Sequence, residues 1–100
     1  LEQAEQKAGF EAALPKYLPP GYRLCCDQAA VIEVKGHPTL WLSFTNGADT
    51  FSLFQRRASG SLEPTLRGRS LIWQDENFRF TLMGTLAADE MQKIRASVKP

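Results

Sequence analysis

The segment TLWLSFTNGADTFSLFQRR, residues 39–57, most restricts what this chain can build. Leu40, Leu42 and Phe44 alternate with Trp41, Ser43 and Thr45, the pattern of a strand with one buried face. Asn46-Gly47 is the strongest hairpin dipeptide, here inside the slightly longer loop NGAD. On the return strand, Phe51 and Leu53 join the Leu42/Phe44 side, and Ser52, Phe54 and Arg56 fall beside Trp41. A second hairpin follows the same logic. SLIWQ (70–74) and FRFTLMG (78–84) flank the tight turn DEN, with Phe78, Phe80 and Leu82 opposing Arg79, Thr81 and Met83.

Two hairpins sharing an apolar side need a cover. LAADEMQKIRASVK, residues 86–99, reads as a helix whose Met91, Ile94 and Val98 form a stripe with Leu86 or Ala87 above it. Thr85 is a candidate N-cap. Asp89 and Glu90 in the first turn, with Lys93, Arg95 and Lys99 later, suit the helix dipole. Residues 1–13 are rich in helix formers but broken by Gly9, so a short or frayed helix is expected. Residues 14–21 form a proline-rich strap. Pro15 and Pro19 push the residues before them toward extended backbone, and Pro19-Pro20-Gly21 reads as a turn into the first strand. Leu14, Tyr17 and Leu18 are expected to pack on the sheet or helix.

YRLCC (22–26) alternates, and VIEV (31–34) continues or restarts the strand. Lys35-Gly36-His37-Pro38 has turn chemistry. ASGSLEPTLRGR (58–69) reads as a loop or a loosely held edge. The expected fold class is α+β: an antiparallel sheet of about five strands in hairpin order, with a C-terminal helix packed on one face. One hundred residues suit a single domain, 1–100. The expected core is Tyr22, Leu24, Leu40, Leu42, Phe44, Phe51, Leu53, Leu71, Phe78, Phe80, Leu82, Met91, Ile94 and Val98.

Charge excludes some functions. The formal net charge is +1, so no global field steers a polyanion. The halves differ: residues 1–50 carry four Lys/Arg and six Asp/Glu, and residues 51–100 carry eight and five. Arg56, Arg57, Arg67, Arg69 and Arg79 supply most of the basic excess. They read either as a solvated face or as groups that meet an acidic partner. No apolar run approaches the ~20 residues that span a bilayer. The chain begins at Leu1, and we expect an excised or mature piece from which a signal or anchor could have been removed.

The sequence holds no catalytic or nucleotide-binding motif. Asp75-Glu76 sit on a hairpin tip, where nothing separates their pKa values for acid–base work. His37, the only histidine, has no nucleophile placed beside it by spacing. Cys25-Cys26 are adjacent and would point to opposite faces of a strand; zinc would need more ligands. No catalytic, metal or cofactor site is expected. Trp41, Phe54 and Trp73 could serve a nucleic-acid face, but there is no glycine-spaced aromatic run of the kind RNA-binding sheets carry, and no nucleic acid is expected.

A sheet with a helix on one side leaves its other side open. That side would carry Trp41, Phe54 and Trp73 or Met83, bordered by arginines. It is either a protein-binding face or a surface covered by residues 1–20. On the first reading the partner-binding residues are Trp41, Phe54, Arg56, Arg57, Arg67 and Arg69.

LPKYLPPGYRL (14–24), NGADTFSLFQ (46–55) and FTLMGTLAADEMQKIRASV (80–98) also resemble a family pattern. The chain is similar to the C-terminal domain of the MucB/RseB proteins and to related extracytoplasmic domains attached to bacterial anti-sigma factors. The matching positions are Leu14, Pro15, Leu18, Pro19, Gly21 and Tyr22, then Asn46, Gly47, Ser52, Leu53 and Phe54. They end with Thr81, Leu82, Gly84, Leu86, Glu90, Ile94 and Ser97. The resemblance covers about residues 10–98 and implies a non-enzymatic, extracytoplasmic regulatory module. Its partner would be a protein such as an anti-sigma factor, which MucB/RseB proteins bind and shield from proteolysis. Those proteins carry a larger lipoprotein-carrier-like domain in front, which this chain lacks. By that analogy a lipid- or lipoprotein-handling role is the alternative, and a small hydrolase built on His37 a further one. Cys25-Cys26 and the 58–69 segment are not part of the pattern.

Overall fold

A computed structural model describes residues 2–25 and 29–99. Along the chain come α1 (Glu2–Ala8), β1 (Leu14–Pro15), β2 (Arg23–Leu24), β3 (Ala30–Val34), β4 (His37–Thr45) and β5 (Thr50–Arg57). Then follow β6 (Thr65–Arg67), β7 (Ser70–Gln74), β8 (Phe78–Met83), α2 (Ala88–Ser97) and β9 (Val98–Lys99). The main sheet is antiparallel with the order β2-β4-β5-β8-β7-β6, and β3 continues the β2 edge along β4. The fold is α+β, with a C-terminal helix and the two sequence-predicted hairpins at the sheet's centre.

Among the described residues the main sheet has seven strands rather than about five, because the first is broken and an edge is added. Arg23 pairs with Thr45 but Ala30 with Trp41, so extra residues interrupt the edge between β2 and β3. Thr65–Arg67, in the segment read as a loop or a loosely held edge, form that edge by pairing with β7. The path also departs from hairpin order once. After β5 the chain crosses to the far edge, and β8 returns beside β5.

Local chemistry fixes the turns. Asn46 Oδ1 accepts the Ala48 and Asp49 N–H groups, an Asx turn that closes the β4–β5 loop. Asp75 Oδ1 does the same for Asn77 and Phe78. The turn after β3 is tighter than expected. Only Lys35 and Gly36 form it, both at positive φ (51° and 82°), while His37 and Pro38 pair with Val34 and Glu33.

One face of the sheet holds the core. Leu40, Leu42, Phe44, Phe51, Leu53, Leu71, Phe80, Leu82, Met91 and Ile94 are all buried, as the sequence pattern requires. Met91 and Ile94 each contribute roughly 1.5–3 kcal/mol by leaving water. Tyr22, Leu24, Phe78 and Val98 pack at the margin, half-buried. Trp73 belongs here too, stacked on Phe80 at 5.1 Å, so it is not on the open side. The helix is shorter than the 86–99 span. Ala87, not Thr85, occupies the N-cap and has no side-chain cap, and Val98 has already turned into β9.

The N-terminal segment joins this same face. Ala4, Ala8 and Ala13 are buried in the core, and the Phe10 ring packs tilted, at 48°, against Phe78 with centroids 5.0 Å apart. α1 ends at Gly9, whose φ of 84° is the left-handed conformation that closes helices. The strap then runs along α2. β1 pairs with β9, Lys16 N–H donates to the Ser97 carbonyl, and the Tyr17 hydroxyl donates to Glu90 Oε2 at 2.6 Å. Leu18 packs and Pro19 is buried, but Leu14 is 38% exposed because its backbone, not its side chain, is what β9 holds.

Candidate functional site

With α2 and residues 10–18 on one side of the sheet, the other side stays open. Register sets its layout. Trp41, Phe54, Thr81, Ile72 and Thr65 stand in one row across β4, β5, β8, β7 and β6. At a strand spacing of about 4.8 Å the row is roughly 19 Å long. Trp41 and Phe54 stack at its head, 5.5 Å apart and 23° from parallel, and both are half-buried. The Trp41 indole N–H is buried and has no acceptor among the described residues.

The rows to either side are polar. Arg56, Arg79 and Gln74 face one another in the row toward the chain crossing. Ser43, Ser52, Met83, Ser70 and Arg67 form the opposite row, with Met83 44% exposed. Arg79 donates to Gln74 Oε1 and to the Ser59 carbonyl, and Gln74 Nε2 donates to the Gly60 carbonyl. Arg56 donates to the Arg57 carbonyl and to Ser59 Oγ. Burial, and then the charge of Arg79, lower the Arg56 guanidinium from its ordinary range.

The six residues expected to bind a partner divide. Trp41, Phe54, Arg56 and Arg67 share the open face. Arg57 does not: alternation turns it to the core side, where it donates to the Gly9 carbonyl at 2.7 Å and lies over the Phe10 ring at 5.6 Å. Arg69 sits in the β6–β7 turn, exposed, and its carbonyl accepts the Gly84 N–H. The structure adds Arg79 and Ile72 to the face, and of the expected alternatives Trp73 and Met83 it is Met83 that stands there. The alternation of FRFTLM already set Arg79 and Met83 opposite Phe80. Their neighbours became visible only with the strand order.

Other candidates stay apart. His37 is half-buried at the start of β4, and no hydrogen bond joins its imidazole to a hydroxyl or thiol among the described residues. Cys25 is a half-buried free thiol; Cys26 and Asp27 lie outside the described residues. Among the described residues no His, Cys, Asp and Glu group is placed to hold a metal. No helix there is long and apolar enough to cross a membrane.

No family profile and no curated protein matches the sequence. Solved structures do match. The crystal structure of MucB in complex with MucA(peri) superposes on 90% of this chain with a TM-score of 0.68. The chain has the fold of one part of MucB. The Pseudomonas aeruginosa MucA/MucB complex gives the same TM-score of 0.68 at 19% identity, and MucB alone gives 0.68 at 21%. The chain spans about a third of the length of these MucB chains (34–36%). At this identity the likeness to MucB is one of fold.

Proposed function

We propose that this chain is a non-enzymatic, extracytoplasmic protein-binding module of a bacterial envelope-stress or sigma-factor regulator. Its partner is an anti-sigma factor or a similar protein, met on the open sheet face. The observation that carries this reading is the fold shared with MucB, which was solved in complex with MucA(peri). The open face supports it further. A stacked tryptophan and phenylalanine beside arginines have the composition of an interface centre.

The lipid-handling alternative gains no support. It needs an apolar hollow between sheet and helix, and Leu40, Leu42, Leu53, Leu82 and Ile94 fill that space at 0% exposure. A hollow of about 360 Å³ lies instead at the surface, along Glu5, Gln6, Gly9, Phe10 and Glu11.

Calorimetric titration with the periplasmic segment of the MucA-like protein encoded in the same genome tests the proposal. Binding weakened tenfold or more by Trp41→Ala/Phe54→Ala, with an unchanged melting curve, is the expected result. Equal affinity for the variant would remove the open face from the reading.

A further inference from the structure

Among the described residues, nothing neutralises the charge pattern of the open face. Its described strand positions hold Arg23, Arg56, Arg67 and Arg79 and no carboxylate. Arg56 and Arg79 are directly opposite each other across β5 and β8. Like charges in that position destabilise a sheet. A carboxylate on a neighbouring strand would relieve them, yet every described acceptor is neutral: the Arg57 and Ser59 carbonyls, Ser59 Oγ and Gln74 Oε1. The only ion pair among the described residues, Lys93 with Glu90, lies on α2. One row away, the buried Trp41 indole N–H also has no acceptor among the described residues.

We propose that Arg56 and Arg79 form a carboxylate-receiving pair, which selects an acidic side chain of an extended peptide laid across the Trp41–Phe54–Ile72 row. This rests on the reading of the open face as the partner-binding face, and adds the chemistry of what binds there. Guanidinium groups bind carboxylates through paired, charge-assisted hydrogen bonds, which the neutral acceptors around Ser59 cannot match. One anion between the two arginines would also cancel their mutual repulsion. The apolar row beside them takes an aliphatic or aromatic neighbour of the acidic residue. Alternation in an extended peptide leaves successive residues on opposite sides, so the acidic and apolar contacts belong to residues i and i+2. A polyanion such as single-stranded nucleic acid fits less well, because the chain's net charge is only +1.

Two blocked eight-residue peptides serve as probes, one alternating Leu and Glu and one alternating Leu and Gln. Each is titrated into the isotope-labelled protein, and amide, Trp41 indole and arginine side-chain resonances are followed. The Glu peptide is expected to bind at least tenfold more tightly than the Gln peptide and to move the Arg56, Arg79 and Trp41 signals. Arg56→Gln/Arg79→Gln should abolish that preference while leaving the Gln peptide's affinity unchanged. The double variant should melt no lower than the parent, since it removes a like-charge pair. If both peptides bind equally at Trp41 and Phe54, the arginine assignment fails and the binding face survives. If neither moves the Trp41 indole, both are overturned. An oligothymidine that shifts the same signals more strongly than the Glu peptide would overturn the peptide as occupant.

Discussion

The side-chain amide of Gln55 holds both backbone polar groups of Ala13. The Ala13 N–H donates to Gln55 Oε1 at 2.8 Å, and Gln55 Nε2 donates to the Ala13 carbonyl at 2.6 Å. Both residues are buried, Gln55 at 0% exposure. An amide side chain offers one acceptor and paired donors, so it replaces a strand neighbour for a segment that has none. This pair seats the N-terminal segment on the helix side and so keeps the other face open.

Gln55→Ala should therefore cost roughly 2–5 kcal/mol, from a cavity and two unpaired buried backbone groups. Gln55→Glu keeps the shape but, when ionised, cannot donate to the Ala13 carbonyl. Its deficit should shrink between pH 7 and pH 4 as the carboxyl regains a proton. Urea midpoints at both pH values read this out. A Glu variant as stable as the parent at pH 7 would contradict the role given to the amide.

The strap has its own clasp. The hydrogen bond to Glu90, then burial, then the Glu90 charge raise the Tyr17 phenol above its ordinary value of 10.0. The folded value lies above the unfolded one, so this contribution is complete below about pH 10 and fades as pH rises through the folded value. Tyr17→Phe should lower the melting temperature at pH 7 and reduce the loss of stability on going to alkaline pH. Some loss should remain, because burial and then Asp49 raise Tyr22 as well. Tyr17→Ala should cost more, since its ring packs against the core. Identical alkaline losses in the parent and the Phe variant would exclude the Tyr17 clasp.

Much of this was legible in the sequence because its signals are periodic. Alternation in 39–57 and 78–83 assigned faces correctly to Leu40, Trp41, Phe54, Phe80 and Arg79, and the Met91/Ile94 spacing found the buried stripe of α2. The strap motif pointed to the MucB/RseB pattern, and the fold agrees with it. What stayed hidden depends on contacts distant in sequence. Nothing in SLIWQ distinguishes Trp73 from Ile72 as the core residue until β7 is registered against β8. Arg57 looked like Arg56's partner on one rim, but neighbours on a strand face opposite ways. The pairing of Arg56 with Arg79 required knowing that the chain crosses the sheet after β5.

Gly84 shows how tightly β8 closes on the first hairpin. A Cβ built there would lie 2.6 Å from Phe51 Cβ and 3.2 Å from Phe51 Cα. The obstacle is the root of a buried side chain, not its mobile end, so the backbone must shift. Gly84→Ala is expected to cost about 1–3 kcal/mol, measured as a lower urea midpoint with an unchanged slope. A neutral effect would mean that Phe51 gives way more easily than its packing against Phe44 and Tyr22 suggests.

The β3–β4 turn offers a gain instead. Lys35 is the sole non-glycine with positive φ among the described residues, at 51°, and it precedes Gly36 at 82°. Both central residues of this two-residue turn are left-handed, the geometry for which Asn-Gly is the preferred dipeptide. Lys35 is exposed and its side chain makes no hydrogen bond among the described residues, so nothing there offsets its backbone cost. Lys35→Asn should stabilise the domain by about 0.5–1 kcal/mol, seen as a higher melting temperature. It lies at the hairpin tip, away from the Arg56/Arg79 pair, so peptide affinity should not change. A lower melting temperature would show that the lysine stem contributes packing that outweighs the turn geometry.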